Sequence, residues 1–312
     1  MGHFRDRRAF GNVNGRRFRG ARYGDGKSPR FTGLLDLYGG ASAAYSLRAL
    51  SRGWLAGDVV EVRRSSDSAT ADFTAGQVAN GEMVDYVKRP GDFANVGFET
   101  FANNGTGDGF TASNSGGTGT AQGALVAGVT SDIVMIYFDI SIVTGSPALS
   151  LRLGNSSPSS NLETITTSGS KSIELTATGS FDNFKFSDAD VPSEFTISNV
   201  RVSTNDGFVS TWYDQSGNAN NATQITTTAQ PKIVDNGALV TGGLDFDGVD
   251  DELLLSGTGL DIFKNVGYGQ VFFVATSDET GLTVSNIIGF NTGANGRRFL
   301  IGESNATAGS FR

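Results

Sequence analysis

Residues 214–221, DQSGNANN, gather one Asp, one Gln, one Ser and three Asn around a single Gly. Such side chains can do two kinds of chemistry. Asp and Asn bond their own backbone two residues on, and Asn accepts a positive φ, so the run can be a self-bonded corner. Turned outward, Asp214, Gln215, Asn218 and Asn220 offer the carboxylate and amide groups that hold sugar hydroxyls. Oxygen-only donors of this kind also suit Ca²⁺. A second acidic run, LDFDGVDD (244–251), offers Asp247, Asp250 and Asp251. It reads either as a solvated turn or as a Ca²⁺ site, with Leu244 and Phe246 pointing inward.

Other chemistry lacks its parts. There is no Cys, and His3 is the one histidine. A Ser-His-Asp triad, a thiol nucleophile and a Cys- or His-based zinc centre are excluded. Hydrolysis would have to run on carboxylates alone. Two of the 32 Asp and Glu residues will approach one another by chance, so composition alone supports no glycosidase pair. No cofactor is implied beyond the Ca²⁺ reading.

The elements that position these residues are short strands. Gly is 43 of 312 residues and Pro only 6, a balance that suits many tight turns. Strands are expected at 59–63 (VVEVR), 133–143 (IVMIYFDISIV), 149–153, 172–177, 195–202 and 208–214. Further short strands are expected in PKIV, GLDFDG, QVFFVATS, NIIGF and RRFLIG. Ala43, Leu47, Leu50 and Trp54, spaced 4, 3 and 4, predict one face of a three-turn helix. Arg63 and Arg64 beside Asp67 read as a rim ion pair of little energetic weight. No apolar run reaches the roughly 18 residues of a membrane span, so membrane insertion is not expected.

Charge divides the chain. Residues 1–30 carry nine Lys and Arg against two Asp, for a net +7, whereas the rest of the chain nets −15. Arg5, Arg7, Arg8, Arg16, Arg17, Arg19 and Arg22 lie in this arm with Phe4, Phe10, Phe18 and Tyr23 interleaved. Arginine with aromatics suits RNA or an acidic protein groove. The reading preferred is docking on a partner subunit, with nucleic acid set aside.

Three segments then carry a resemblance. LLDLYGGASAAYSLRALS, VEVRRSSD and FVSTWYDQSGNANNATQ occur in this order, followed by PKIV and LDFDGVDD. Together they resemble the catalytic-domain family of fungal α-L-arabinofuranosidase B, a concanavalin A-like β-sandwich. They are more similar still to the phage proteins that carry this module in tail fibres and other virion appendages. The resemblance covers roughly 33–88 and 205–290. Between those parts, NVGFETF and FTISNVRV resemble the first and last strands of carbohydrate-binding jelly rolls. The nucleophile and acid/base carboxylates of the glycosidases find no match here, because Asp278, Glu279 and Glu303 lack the family's context.

The expected fold is therefore mainly β: a concanavalin A-like sandwich interrupted by an inserted jelly-roll sandwich and preceded by an extended basic arm. The expected division is 1–32 as docking arm, 33–89 plus 204–312 as the interrupted sandwich, short at its C-terminal end for the family, and 90–203 as the insertion. The resemblance implies a structural protein of a phage virion at the particle surface, in a tail fibre, tail tip or capsid appendage. The arm would join it to other virion proteins, a homo-oligomer is expected, and host-surface glycans are the outward partner. The alternatives are a glycoside hydrolase acting on surface polysaccharide and a purely structural decoration protein. One feature weighs against sugar binding by 90–203. It has no Trp, and its one Tyr, Tyr137, lies in an apolar strand, whereas sugar sites stack an aromatic ring on the sugar face.

Overall fold

The computed structural model describes residues 31–154, 160, 163–188, 192–255 and 270–276, and the backbone strands 285–291 and 298–303. The arm arginines, Asp278 and Glu279 lie outside the described residues, as does the side chain of Glu303. Elements are numbered in chain order. A short helix α1 (Leu34–Leu37) precedes β1 (Asp58–Arg64) and β2 (Thr70–Thr74), and α2 (Ala75–Asn80) and α3 (Glu82–Val87) follow. Ten strands come next. They are β3 (Ala94–Val96), β4 (Thr100–Asn103), β5 (Phe110–Asn114), β6 (Gly119–Gly128), β7 (Ile133–Gly145), β8 (Leu149–Leu153), β9 (Glu163–Ile165), β10 (Gly169–Thr176), β11 (Phe181–Asp188) and β12 (Ser193–Val202). The chain continues through β13 (Gly207–Trp212), β14 (Ala222–Thr223), β15 (Lys232–Asp235), β16 (Ala238–Leu239), β17 (Leu254–Leu255), β18 (Ser285–Asn291) and β19 (Arg298–Glu303).

Strands that precede residue 94 and strands that follow residue 202 share one sheet. Its order is β16-β15-β13-β1-β2, with β14 also paired to β13 and β17 paired to β14, and β1 pairs antiparallel with β13. Val59, Val60, Val62, Val209, Ile233 and Val234 turn one face of this sheet into a core, which α2 and α3 cover with Val78, Met83 and Val87. The two helices have a local cause. Thr74 and Gln77 form a capping box at the start of α2, and Gly81, at φ 89°, ends α2 and opens α3. The hairpin β18–β19 forms a two-stranded sheet of its own.

Residues 94–202 build two five-stranded antiparallel sheets, β10-β7-β12-β5-β4 and β3-β6-β11-β8-β9. The period of two decides which side chains meet. Along β7, Val134, Ile136, Phe138 and Ile140 are buried, and their neighbours face out. All nine Phe of 91–203 belong to the core between the sheets, eight of them buried and Phe101 packed against it. Their rings meet edge-on in pairs such as Phe138–Phe186 (4.9 Å) and Phe184–Phe186 (5.8 Å). Each such pair adds roughly 0.5–1.5 kcal/mol beyond the burial itself. Gly123 of β6 makes room for one of these rings, since a Cβ there would overlap Phe184.

Several expected elements differ. Residues 43–54 do not form a three-turn helix; only Arg52–Trp54 turn, as a short 3₁₀ helix. The backbone groups of 41–50 are bonded instead by side chains of the 214–221 run. GLDFDG is not a strand. It has one isolated bridge, Asp245 to Lys232, and Phe246 is 45% exposed instead of inward. Residues 270–276 join no strand, and Phe272 is exposed. The capping box Thr74-x-x-Gln77 is the signal in the sequence that marks the start of α2.

Candidate functional site

The polar run after β13 faces inward. Asp214 is 1% exposed and Gln215 2%. Asp214 Oδ1 accepts from the N–H groups of Ala44 and Ser216 (both 2.8 Å), and Oδ2 accepts from Ser216 Oγ (2.7 Å) and Asn220 N (3.0 Å). Gln215 accepts from Leu50 N (2.8 Å) and donates its amide to the carbonyls of Ser46 (2.8 Å) and Arg48 (3.0 Å). Asn218 donates to Ala41 O (2.9 Å) and Asn220 to Ser42 O (2.8 Å). Tyr45 hydroxyl donates to Asn220 O, and its ring lies 5.6 Å from that of Trp212. The run is therefore a clamp that holds the loop 41–50. The four residues read as sugar ligands do come together, but on backbone. This also explains why the two sequence segments occur as a pair, because each supplies the other's hydrogen bonds. A groove opens beside the clamp, bordered by Asp36, Gly39, Gly40, Trp54 and Gly217. Backbone N–H groups of Gly33 and Arg52, each 2.9 Å from Asp36 Oδ2, hold that carboxyl below its ordinary range.

Asp247, Asp250 and Asp251 do converge, with carboxyl oxygens within 4.8 Å of one another. Asp247 Oδ1 accepts from Val249 N (2.8 Å), Asp250 N and Asp251 N (both 3.3 Å), and Asp251 accepts from Asp247 N (3.0 Å). Oxygen donors of this type suit Ca²⁺, and the same oxygens already close a self-bonded turn.

Where the chain leaves the split sheet and returns to it, charges are concentrated. Arg64 is nearly buried rather than at a rim. It donates Nε–H to Asp67 Oδ1 (2.7 Å) and Nη2–H to Oδ2 (2.6 Å), with Tyr86 beneath its guanidinium at 4.8 Å. Arg63 turns elsewhere, to Gln230 Oε1 (2.7 Å) and the Phe208 ring. Arg201 of β12 reaches back to α3. It donates to Asp85 Oδ2 (2.7 Å) and to Asp108 Oδ2 (2.8 Å). A bulge in β12 with Asn199 at φ 55° sets this direction, pairing Ser198 with Asp139 but Arg201 with Tyr137. The outgoing and returning segments are also bonded directly, by Val202 N to Lys88 O (2.8 Å) and Asn205 Nδ2 to Val87 O (3.2 Å), and Gly91 N ties the outgoing segment to Gly107 O of the sandwich (3.0 Å). The joint is thus held by both charge and backbone.

This joint has a pH window. Burial works to raise the Asp108 carboxyl, but hydrogen bonds from Thr106, Arg201 and Asn104 overcome it and bring it down to about 2. Arg201 likewise lowers Asp85. A folded-state value below the ordinary ~3.9 of Asp stabilises the fold above that value, and the stabilisation is lost as pH falls toward the folded value. Between about pH 4 and pH 2 the amides of 200–206 are therefore expected to lose hydrogen-exchange protection before those of β7 and β11. In an Arg201→Gln variant this acid step should shrink.

The sheet β10-β7-β12-β5-β4 turns its other face to solvent. Outward along β7 come Met135, Tyr137, Asp139 and Ser141. Tyr137 is 43% exposed, and the register sets Ser172 on one side of it and Arg201 on the other. Beyond it lie Ser170 and Asp139, the latter accepting from Asn199 Nδ2 (2.7 Å), and then the row Ser141, Thr196 and Thr111. Thr111 and Thr196 hydroxyls are 3.0 Å apart. The apolar strand around Tyr137 conceals this orientation in the sequence. Alternation sends the tyrosine out, so the objection to sugar binding drawn from its surroundings does not hold.

These features define a mainly antiparallel β protein, with a two-sheet sandwich carried on a split sheet and an open, hydroxyl-rich sheet face around one aromatic ring. Solved structures similar to it are distant. The family 29 carbohydrate-binding module CBM29-2 matches at 20% identity and a TM-score of 0.27, covering 36% of this chain and 80% of its own. TmCBM61, solved with β-1,4-galactotriose, matches at 8% identity and 0.26, covering 37% and 90%. The enzymatically active domain of tailspike protein 4 of bacteriophage CBA120 matches at 11% identity and 0.25, covering 39% of this chain and 20% of that one. No family model and no curated protein matches the sequence.

Proposed function

We propose that this chain is a non-catalytic component of a phage virion appendage that presents its sandwich at the particle surface and takes hold of host-surface glycans on the Tyr137 face. The observation that carries the reading is the exposed Tyr137 ring, flanked across the sheet by Ser172 and Arg201, on the same outward face as the row Ser141, Thr196 and Thr111 further along. A ring covers the C–H side of a sugar while neighbouring hydroxyl and carboxyl groups take its hydroxyls. One such face binds weakly, and many copies on a particle multiply weak contacts into useful avidity. The charged joint supports the reading, because an adhesive module transmits force best when fixed to its base. The resemblance of the 33–88 and 205–290 segments to phage appendage proteins supports placing the chain on a virion, with the basic arm as the docking element.

A glycan array probed with the tetramerised full chain tests this proposal. Binding to one or more glycans without release of reducing sugar is expected, and Tyr137→Ala should lower the response about tenfold, which is ~1.4 kcal/mol. Release of reducing sugar, abolished by one carboxylate substitution, would overturn the reading in favour of a glycoside hydrolase. Absence of any array response would leave a purely structural decoration protein. Deleting residues 1–30 should prevent incorporation into particles; full incorporation of the truncated chain would remove the arm as the anchor.

A further inference from the structure

The groove beside the clamp is a different surface from the Tyr137 face, on a different unit of the chain. It encloses about 420 Å³, within the ~300–1,000 Å³ of small-ligand clefts. Trp54 lines it, and Gly57 lies so close to the six-membered ring of that indole that a Cβ there would overlap it. The ring thus packs on the bare backbone of Gly57, and the half-buried Trp54 borders the groove. Asp36 is the one charged side chain on the lining. Its Oδ2 is occupied by Gly33 N and Arg52 N, and among the described residues its other oxygen has no donor.

Four glycines, 39, 40, 53 and 217, contribute bare backbone to the rest of the wall. Gly40 and Gly217 have φ values of 87° and 90°, so their own conformation calls for glycine. Gly39 and Gly53 have no such reason. Neither is at positive φ; a Cβ on Gly39 would meet nothing within 4 Å, and one on Gly53 only Ser51 Oγ at 3.6 Å. The packing of the chain therefore leaves both glycines unexplained. Glycine also serves where a ligand must approach the main chain closely, and both residues border this groove.

We propose that the groove between Trp54, Asp36 and the glycines 39, 40, 53 and 217 is a second carbohydrate-binding site, one that takes the end of a neutral glycan. The ring would meet the C–H face of a sugar, and the carboxylate and bared peptide groups would take its hydroxyls. A neutral glycan fits the charge, since Asp36 is the one charged side chain on the lining among the described residues, and the nearby Arg52 guanidinium offsets only part of its repulsion of an anionic sugar. This inference stands apart from the Tyr137 face and does not depend on it.

The test uses the two tryptophans of the ¹⁵N-labelled full chain. Trp54 and Trp212 give two indole N–H resonances, to be followed during titration with cellohexaose, β-1,4-galactotriose, maltohexaose and, as the anionic comparison, sialyllactose. At least one neutral probe is expected to move the Trp54 signal along a saturable isotherm and leave Trp212 in place, with sialyllactose weaker. Gly39→Leu and Gly53→Leu fill the groove without altering a required φ. Each should weaken binding at least tenfold with an unchanged thermal midpoint. The Trp54 shift should persist in Tyr137→Ala, which separates this site from the face on the sandwich. No shift of Trp54 with any neutral probe, or an unchanged isotherm in both leucine variants, would overturn the proposal. So would a Trp54 shift that follows protein concentration without sugar, which would assign the groove to a contact between copies.

Discussion

Asp214→Ala is expected to destabilise the split sheet toward urea by about 3 kcal/mol, because it leaves several buried donors unpaired at about 1–3 kcal/mol each. The carboxylate takes four hydrogen bonds while almost wholly buried. Three of its donors are backbone N–H groups, of Ala44, Ser216 and Asn220. Each one left buried without a partner costs about 1–3 kcal/mol. Asp214→Asn keeps the shape but sets an amide donor against these donors, so a smaller loss is expected, of about 2 kcal/mol. The sandwich has its own hydrophobic core, distinct from that of the split sheet. Two unfolding transitions should therefore be resolved, with only the one belonging to the split sheet displaced. Because the loop 41–50 borders the groove, Asp214→Ala should also remove sugar binding at Trp54 and leave the Tyr137 face active. A wild-type midpoint for both transitions would show that the DQSGN run is not a clamp.

Arg201→Met is the second large effect, and it falls on the joint. Arg201 is 16% exposed and Asp108 8%, so removing the guanidinium leaves a mostly buried carboxylate facing Arg89 Nε at 3.9 Å. Breaking a buried pair from one side costs about 3–5 kcal/mol. Asp85, at 47% exposed, is well solvated and adds little. A loss of about 2–4 kcal/mol is expected, localised between the two units. The core of each lies away from Arg201, so both should fold. What should change is their coupling, seen as independent alignment tensors for the two units in residual dipolar couplings where the wild-type chain fits one. A single tensor in the Arg201→Met chain would mean that the backbone bonds from Val202 and Asn205 hold the joint unaided.

The strands of the sandwich were legible as β-branched and aromatic runs between Gly-rich turns, as in IVMIYFDISIV, which β7 spans. Which side of β7 faces out was not, since residues 133–138 are all apolar or aromatic and the period of two shows only in their burial. The clamp was legible in its residue types but not in its direction. Asp, Gln and Asn after a strand announce hydrogen bonding, and only the tertiary structure shows their partners to be the backbone of residues some 170 positions earlier. The same long-range bonds defeat the helix that Ala43, Leu47, Leu50 and Trp54 predict. Spacing records which side chains are apolar, while Asp214 and Gln215 take the N–H and C=O groups a helix would have needed. Arg64 was misplaced for a related reason. A sequence shows Arg63, Arg64 and Asp67 as neighbours, but β1 sends alternate residues to opposite faces, so Arg64 goes inward to Asp67 and Tyr86 and Arg63 outward. The groove at Trp54 was not legible, because residues 35–54 close it only together with Gln215, Ser216 and Gly217 from far along the chain.

The central claim is that sugar is held on the Tyr137 face of the sandwich. Its most direct measurement is a backbone amide shift map of the full chain during titration with whichever glycan gives the strongest array response. The account predicts saturable shifts that cluster on Tyr137, Ser172, Asp139, Thr196 and Thr111 and vanish in Tyr137→Ala. Saturable binding that leaves those amides unmoved, or that survives the loss of the Tyr137 ring, would contradict it.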